Sequence, residues 1–428
     1  MDANDRTNVA VLGSGGREHA MAWKLAQSPL VGTVYVLPGN LGMTALEGPS
    51  RIGRKIRPMP IPALYAPSIV DFCQRWGVSL VVPGPDRALV SGTAEDIAKA
   101  GIPVFGPSAR AAMLTEGSKC DAKNFMERRK IPTAPFRCFE PGDELEARVF
   151  ISDHPLPVVV KDNGLADGKG VAIALTHELA LHAATDLLAN SHRIVVEEYL
   201  PGTELSFTCL VVGNDFLPLA LSRDHKTLGG KMTGGMGAVS SDDLITADVY
   251  QQIINTIVKP TVAGLVEEDA SFTGFLYLGL MIVDGVAYVL EYNCRLGDPE
   301  AQAILARLDS DFYITLREVL AGKLTALRLE WNPHPSVCIV LAADGYPGPP
   351  RTGDRIRGLN AAARSGVRLF SAGISEDAAG ELITAAGRVL NVVAVKPTMG
   401  RARRAAYAAA AKIRWPGKQM VKTIGEGL

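Results

Sequence analysis

The sequence has almost no net charge and no long apolar segment. Its 428 residues carry 44 Lys and Arg against 45 Asp and Glu, for a net charge of −1. This balance gives no support for nucleic acid or an anionic membrane as a partner. No uncharged apolar stretch is long enough to span a bilayer, and residues 1–6 are polar, without the apolar core of a signal peptide. We therefore expect a soluble, cytoplasmic protein.

Cysteine is also scarce. The six cysteines, at positions 73, 120, 138, 209, 294 and 338, are scattered and form no C-x-x-C pair. This spacing argues against a disulfide framework or a zinc site, and it fits a reducing cytoplasm.

The overall composition is that of a globular protein, with 47% hydrophobic and 21% charged residues. The length allows roughly two to four domains. Within residues 1–107, strands are predicted at 8–12, 34–37, 80–82 and 103–105, and helices at 17–26, 69–76 and 95–100. Such alternation predicts an α/β domain whose parallel sheet is covered on both faces.

The rest of the chain divides into two further predicted domains. In residues 108–330, a helix at 109–130 precedes strands at 158–161, 171–175, 194–199 and 206–212. A glycine-rich loop joins the first two of these strands, and this order predicts a small α+β lid over a nucleotide, at about residues 124–196. Strands at 337–342 and 389–395 and an Ala-rich helix at 401–414 predict a mixed α/β domain over residues 331–428.

The most informative segment follows an apolar strand predicted at 287–290. Glu291 and Asn293 stand two residues apart, so their side chains point to the same face. A carboxylate and an amide oxygen side by side are ligands for a Mg²⁺ ion that also holds substrate phosphates. Arg295 adds a guanidinium suited to an anionic oxygen. The segment therefore predicts nucleotide-driven chemistry at a metal.

A glycine-rich loop, Gly13 to Gly16, follows the first predicted strand. It lacks the dinucleotide fingerprint, because Glu18 stands where the third glycine is required. Its backbone N–H groups at a helix N-terminus would suit a phosphate-bearing substrate, held with help from Arg17. A tight turn without a ligand is the alternative interpretation.

Two more glycine-rich loops occur later in the chain. Residues 164–170 lack the spacing of a P-loop but suit a mobile flap over ATP phosphates, which Lys161 could also reach. Residues 233–238 follow the segment Asp224-His225-Lys226 and permit close backbone approach to a small ligand. The alternatives are a surface cap for Lys161 and a flexible surface loop at 233–238.

Taken in order, these segments resemble the glycinamide ribonucleotide synthetase family of ATP-grasp carboxylate–amine ligases. The resemblance covers nearly the whole chain. It rests on Gly13-Ser-Gly-Gly-Arg-Glu-His-Ala20, Pro38-Gly39-Asn40, Glu116-Gly-Ser-Lys119, Gly164-Leu-Ala-Asp-Gly-Lys-Gly170, Asp224-His-Lys226, Thr233-Gly-Gly-Met-Gly-Ala238, Glu291-Tyr-Asn-Cys-Arg295 and Gly297-Asp-Pro-Glu300. It implies an N-terminal parallel α/β domain, an α+β ATP-grasp core with a small lid, and a small C-terminal mixed α/β domain.

The resemblance also implies ligands and roles. ATP and Mg²⁺ are the implied cofactors, with Mn²⁺ as the alternative metal. The implied reaction phosphorylates the carboxylate of glycine and then joins it to 5-phosphoribosylamine in purine biosynthesis; these small molecules are the only implied partners, and the protein is expected to be a monomer or homodimer. The expected site residues are Lys123, Lys161, Gly168, Lys169, Glu197, Glu198 and Glu204 for the nucleotide; Glu291 and Asn293 for the metal; Asp224, Lys226 and Arg295 for catalysis; and Gly15, Gly16, Arg17, Glu18, Asn40, Asp86, Gly234, Gly235, Met236, Gly237, Asp298 and Pro299 for the substrates.

Four segments depart from the family pattern. They are a short loop after Lys226 in place of an acidic insert, Val239-Ser240-Ser241 in place of an aromatic residue and a proline, Asp162-Asn163 in place of Ala-Asp, and Gly84-Pro85-Asp86 in place of Gly-Pro-Glu. An alternative hypothesis is therefore a paralogue that uses a different carboxylate or amine in a specialised pathway. A nucleotide-binding regulatory protein and a biotin-dependent carboxylase subunit are weaker alternatives.

Overall fold

The computed structural model describes residues 6–166, 170–190 and 192–428. A four-stranded parallel sheet forms its N-terminal part. The strands are β1 (Thr7–Gly13), β2 (Val31–Pro38), β3 (Ile56–Pro58) and β4 (Val78–Pro83), in the order β3-β2-β1-β4. The helices are α1 (Gly16–Gln27), α2 (Leu41–Glu47), α3 (Ala66–Arg75), α4 (Asp86–Val90) and α5 (Thr93–Lys99). Because α1 packs on one face of β1 and both α3 and α5 on the other, the predicted covered parallel sheet is confirmed.

The strand predicted at residues 103–105 is reduced to a single bridge between Val104 and Val81. Val81 donates to the carbonyl of Pro103 at 2.8 Å, and Phe105 donates to the carbonyl of Val81 at 2.9 Å. Pro103 has no N–H to extend this ladder, and Pro107 follows closely, so a longer strand cannot form.

The single helix predicted at residues 109–130 is also wrong, because it is interrupted. Helix α6 (Ala109–Ala112) runs into a π-helical turn, Met113–Gly117, and α7 (Lys119–Arg128) begins after it. Ser118 separates the two with an extended backbone, and its hydroxyl accepts a hydrogen bond from the first turn of α7. Glu116 lies in the π turn and is buried.

A four-stranded antiparallel sheet lies within the range predicted for the lid. Its strands are β5 (Phe136–Phe139), β6 (Val158–Asp162), β7 (Val171–Ala174) and β8 (Ile194–Glu198), in the order β5-β8-β6-β7. Helices α8 (Glu144–Asp153) and α9 (His177–Ala189) pack on it and share a separate apolar core with the strands. The extent of the lid as a moving unit stays a prediction.

A nine-stranded antiparallel sheet dominates the rest of the molecule. The remaining strands are β9 (Thr203–Val212), β10 (Asp215–Pro218), β11 (Ser222–Asp224), β12 (Thr227–Leu228), β13 (Lys231–Met232), β14 (Gly237–Ser240), β15 (Thr273–Val283), β16 (Val286–Asn293), β17 (Ser336–Ala342), β18 (Arg368–Ser371), β19 (Ile374–Glu376), β20 (Leu382–Thr384) and β21 (Arg388–Val395). Two further pairs, β12-β13 and β19-β20, lie outside this sheet. The sheet has the order β16-β15-β9-β11-β14-β17-β21-β18, and β10 pairs with β9. The pairing of β14 with β17 carries the sheet across the boundary predicted near residue 330.

Six further helices complete the fold. They are α10 (Ala247–Ile253), α11 (Lys259–Glu267), α12 (Glu300–Leu305), α13 (Phe312–Leu320), α14 (Leu359–Ala363) and α15 (Met399–Ala410). Across the described ranges, no helix has the length and apolar character needed to cross a membrane.

Cys120 and Cys138 form a disulfide, with their Cα atoms 5.9 Å apart. The sequence argued against a disulfide framework, and this single bond was not predicted because a separation of 18 residues conceals proximity in space. The bond joins α7 to β5. The other four cysteines are buried thiols.

Candidate functional site

A cavity of about 430 Å³ lies between the loops of the N-terminal sheet, the sheet of β5–β8 and the large sheet. Many residues expected to act on nucleotide, metal and substrate line it. They are Arg17, Asp86, Lys123, Lys161, Glu197, Glu198, Glu204, Asp224, Lys226, Gly234, Glu291, Asn293, Arg295 and Asp298. Two further expected residues, Gly168 and Lys169, lie outside the described residues.

Two lysines meet at one buried carboxylate. Lys123 on α7 and Lys161 on β6 both form ion pairs with Glu197 on β8, and the Glu197 side chain is only 2% exposed. Burial lowers the pKa of Lys123 to about 8, and the charge of Glu197 opposes this shift. Glu198, the next residue, is exposed because neighbouring strand residues point to opposite faces. The Glu197 carboxylate therefore lies against the lysines.

Glu291 and Asn293 lie at the end of β16, as expected for a strand that delivers side chains to a site. Although burial opposes it, the charges of Lys226, Lys161 and other nearby cations lower the pKa of Glu291 to about 2. Lys226 Nζ lies 3.5 Å from Glu291 Oε1 and 3.8 Å from Asp224 Oδ2. Glu291 is therefore an anion beside an amide oxygen, a donor set that suits a hard cation. Within the described ranges, no group of three His, Cys, Asp or Glu residues forms a metal site by itself.

Arg295 is held by a residue to which the sequence analysis gave no role. Its Nη2 lies 2.7 Å from Glu116 Oε1 and 3.9 Å from Asp86 Oδ2. The other oxygen of Glu116 accepts a hydrogen bond from the N–H of Cys294 at 2.8 Å. Burial raises the pKa of Glu116, and the charge of Arg295 opposes that shift. The only sequence signal for Glu116 was its place in the Glu-Gly-Ser-Lys motif.

The third glycine-rich loop lies against Asp298 and Pro299. Gly235 has a φ of +108°, and a Cβ there would lie 2.6 Å from Pro299 Cδ. Arg388, from β21, joins these segments: its Nη1 donates to the carbonyls of Gly234 at 2.5 Å and Asp298 at 2.6 Å. Arg388 was not predicted from the sequence, where its only signal was a charged residue at the start of an apolar strand.

Two other members of this loop lie away from the cavity. Met236 is fully buried and packs with Val340 and Ala342. A Cβ at Gly237 would lie 2.8 Å from the carbonyl oxygen of Cys338, so close strand packing accounts for the glycine.

The first glycine-rich loop is closed by Glu18. Its carboxylate accepts hydrogen bonds from Gly15 N–H at 2.6 Å and from Arg17 Nε at 2.7 Å. Arg17 also donates to the carbonyl of Leu296 at 3.0 Å. Of the predicted substrate residues in this loop, Arg17 alone lines the cavity. A carboxylate thus caps the helix N-terminus that was expected to receive a phosphate.

Gly16 and Asn40 also lie behind the cavity surface. A Cβ at Gly16 would lie 2.2 Å from Asn391 Nδ2, so this glycine permits close packing against β21. Asn40 donates to the carbonyl of Ser14 at 2.7 Å and bonds with the hydroxyl of Ser371 at 2.5 Å. These contacts hold the N-terminal loops against the C-terminal strands.

Family models match the chain along most of its length. The models described as phosphoribosylglycinamide synthetase N domain, ATP-grasp (A) domain and C domain match residues 7–115, 117–301 and 336–427. The phosphoribosylamine–glycine ligase of Neisseria meningitidis serogroup B is 43% identical, with 98% of each chain covered. That of Escherichia coli K12 is 44% identical, with 97% of each chain covered.

Solved structures give the same result. The crystal structure of phosphoribosylamine–glycine ligase from Thermotoga maritima has a TM-score of 0.83 and 33% identity, and it covers 97% of this chain and 99% of its own. Biotin carboxylase from Campylobacter jejuni has a TM-score of 0.72 and 14% identity, over 99% of this chain and 95% of its own. The second likeness concerns the fold alone.

Proposed function

Because the chain belongs to the phosphoribosylglycinamide synthetase family, we propose that it joins glycine to 5-phosphoribosylamine with the conversion of ATP to ADP and phosphate. The products are glycinamide ribonucleotide, ADP and phosphate, as in purine biosynthesis. Relatives with this activity in their names match it at 43–44% identity over nearly the full length. This agreement favours the ligase over a paralogue with other substrates. A cytoplasmic monomer or homodimer stays the prediction.

The nucleotide-binding part of the site is formed by Lys123, Lys161 and the end of β16. Lys123 and Lys161 would hold the ATP phosphates, and Glu198 and Glu204 would contact the ribose. Gly168 and Lys169 are expected to contact the phosphates as well. Glu291 and Asn293 would hold Mg²⁺, or Mn²⁺ as the alternative. The ionised state of Glu291 supports this assignment. The metal supplies charge neutralisation on the phosphate oxygens.

The part of the site for phosphoryl transfer involves Arg295, Lys226 and Asp224 with the loop at Gly234. A carboxylate oxygen of glycine attacks the γ-phosphorus of ATP, and ADP leaves with the electrons of the broken P–O bond. Arg295 and Lys226 are cations placed to neutralise the acyl phosphate. Although burial opposes it, Asp224 and neighbouring anions hold the pKa of Lys226 well above its usual value, so Lys226 stays charged.

The amine-binding part of the site involves the N-terminal loops. The nitrogen of phosphoribosylamine attacks the acyl carbon, phosphate leaves, and the nitrogen loses a proton. Among the predicted substrate residues of the N-terminal domain, Arg17 and Asp86 line the cavity, whereas Gly15, Gly16, Glu18 and Asn40 would support them from behind. Gly235 and Pro299 would support the loop at Gly234 from behind, and Asp298 lines the cavity beside it.

The observation that carries the proposal is that the lysine pair, the Glu291 end of β16 and Arg17 of the N-terminal domain open into one cavity. An unstable acyl phosphate can then meet the amine without leaving the protein. The test measures ADP release with glycine and phosphoribosylamine together and with each omitted. ADP release only with both is expected. No release above background with both, but release with another amino acid or amine, would establish the paralogue instead.

A further inference from the structure

We propose that Glu197 is a positioning residue whose buried carboxylate directs Lys123 and Lys161 toward the nucleotide phosphates and keeps Lys123 charged. This differs from the role first expected for Glu197, which was direct contact with the nucleotide. The inference rests on the proposed nucleotide site.

The geometry comes from a diagonal pair on two antiparallel strands. Residues 161 of β6 and 197 of β8 lie on one face, because Lys161 pairs with Val195, two residues before Glu197. Lys123 approaches from α7. The two ammonium groups contact different oxygens of Glu197: Lys123 contacts Oε2 and Lys161 contacts Oε1. One carboxylate therefore orients both cations.

Each lysine is fixed by a second contact. Lys123 Nζ donates to Thr133 Oγ1 at 2.7 Å, and Lys161 Nζ donates to the carbonyl of Leu290 at 3.3 Å. An ammonium group has three donors. Within the contacts of the described residues, each lysine thus retains one donor, and both lysines line the cavity. A phosphate oxygen would accept a hydrogen bond from that remaining N–H group.

The carboxylate also has an electrostatic effect. Lys123 is buried beside a second ammonium group, so its lost solvation and the repulsion both favour loss of its proton. Burial lowers the pKa of Lys123 to about 8 and Lys161 lowers it as well, whereas Glu197 and, more weakly, Glu291 oppose both effects. The lysines in turn hold the pKa of Glu197 below its usual value although burial opposes this. Without the charge of Glu197, Lys123 would lose its proton at a lower pH.

The sign of the pH effect follows directly. The charged form of Lys123 binds phosphate, so the affinity of the wild type for MgADP should fall as the pH rises through about 8. We call this loss of MgADP affinity at high pH the alkaline fall. In Glu197→Gln the alkaline fall should begin at lower pH, and the affinity for MgADP at neutral pH should drop by about tenfold. Glu197→Asp keeps the charge and should return the fall toward its wild-type position.

The experiment measures the dissociation constant of MgADP by calorimetry from neutral to alkaline pH. Glu47→Gln is the matched control, because Glu47 is a buried carboxylate that pairs with His19 and Arg368 but does not line the cavity. It should reduce stability without moving the alkaline fall. A wild-type pH dependence in Glu197→Gln, or equal shifts in Glu197→Gln and Glu197→Asp, would overturn the inference.

A folding failure would not leave the question open. If Glu197→Gln does not fold, the double variant E197Q/K123M removes one charge of each sign and is measured in its place. Loss of the alkaline fall in this variant is expected, and its persistence would overturn the inference. If wild-type protein does not bind MgADP at all, the proposed nucleotide site itself fails. If wild type binds but the variants keep its pH dependence, only the role of Glu197 fails.

Discussion

Replacing Gly235 by Ala tests whether the third glycine-rich loop must lie directly against Asp298 and Pro299. Gly235 has a φ of +108°, which residues with a Cβ atom rarely adopt. Its added Cβ would lie 2.6 Å from Pro299 Cδ and 2.9 Å from the carbonyl oxygen of Asp298. The loop would have to move away from the wall of the cavity.

The expected cost can be divided into two parts. The positive φ alone costs about 1–2 kcal/mol for a residue with a Cβ. Forcing a methyl group into packed atoms adds about 1–3 kcal/mol. Gly229, earlier in the same segment, isolates the first part, because its φ is +57° and no atom lies within 4 Å of the added Cβ. Gly235→Ala should therefore be less stable than Gly229→Ala by about 1–3 kcal/mol.

The assay is urea unfolding of both variants, followed by steady-state kinetics. Displacement of the loop would also break the contacts of Arg388 with the carbonyls of Gly234 and Gly235. We therefore expect a higher KM for glycine in Gly235→Ala, with little change in the KM for ATP. Equal stability and equal kinetics in the two variants would refute the close packing of this loop.

Three other substitutions test separate parts of the site. Glu291→Gln should abolish turnover while leaving the melting temperature near that of wild type, because it removes a metal charge rather than packing; normal turnover would refute the metal assignment. Arg17→Ala should raise the KM for the phosphorylated amine more than the KM for ATP, and an equal rise in both would contradict its place in the amine-binding part of the site. Glu116→Gln should lower kcat by about tenfold or more, because the charge-assisted bond that holds Arg295 is weakened; Glu116→Asp serves as the charge-keeping control, and an unchanged kcat in Glu116→Gln would exclude a positioning role.

The sequence predicts the parallel sheet well because its signal is local. Strands β1, β2 and β4 are apolar runs that end in glycine or proline, and a helix begins three residues after each. Strand β3, which has an arginine at its centre, was not predicted. The interruption at Ser118 was missed because residues 109–130 carry no proline and their helical pattern continues across it. The pairing of β14 with β17 was missed because nearly 100 residues separate the two strands, and no local pattern encodes which distant strands pair.

The site divides in the same way. Lys161, Glu291 and Arg295 belong to motifs whose chemistry is visible in a few adjacent residues. Glu116 and Arg388 act on partners 179 and 154 residues away along the chain, at Arg295 and Gly234. Their function depends on tertiary contacts that bring together a π turn, a loop and a C-terminal strand. The sequence signals were a short motif around Glu116 and a charge at the start of an apolar strand for Arg388, and neither signal identifies the partner.

The departures from the family pattern can now be judged by position. The short loop after Lys226 forms the turn between β12 and β13, where Gly229 and Gly230 both have positive φ. Asn163 accepts a hydrogen bond from the N–H of Cys120 at 2.8 Å, at the start of α7 rather than in the cavity.

The same holds for the residues after Ala238. Ser240 is fully buried, and its hydroxyl donates to the carbonyl of Leu221 and accepts from Arg307. Asp86 lines the cavity, as does Met232 at the end of the short loop, and Asp86 lies 3.9 Å from Arg295. A carboxylate shorter than the family's Glu at this point leaves more room beside Arg295. If this chain differs from its relatives in substrate preference, the change should therefore involve Asp86, and Asp86→Glu should move that preference toward theirs.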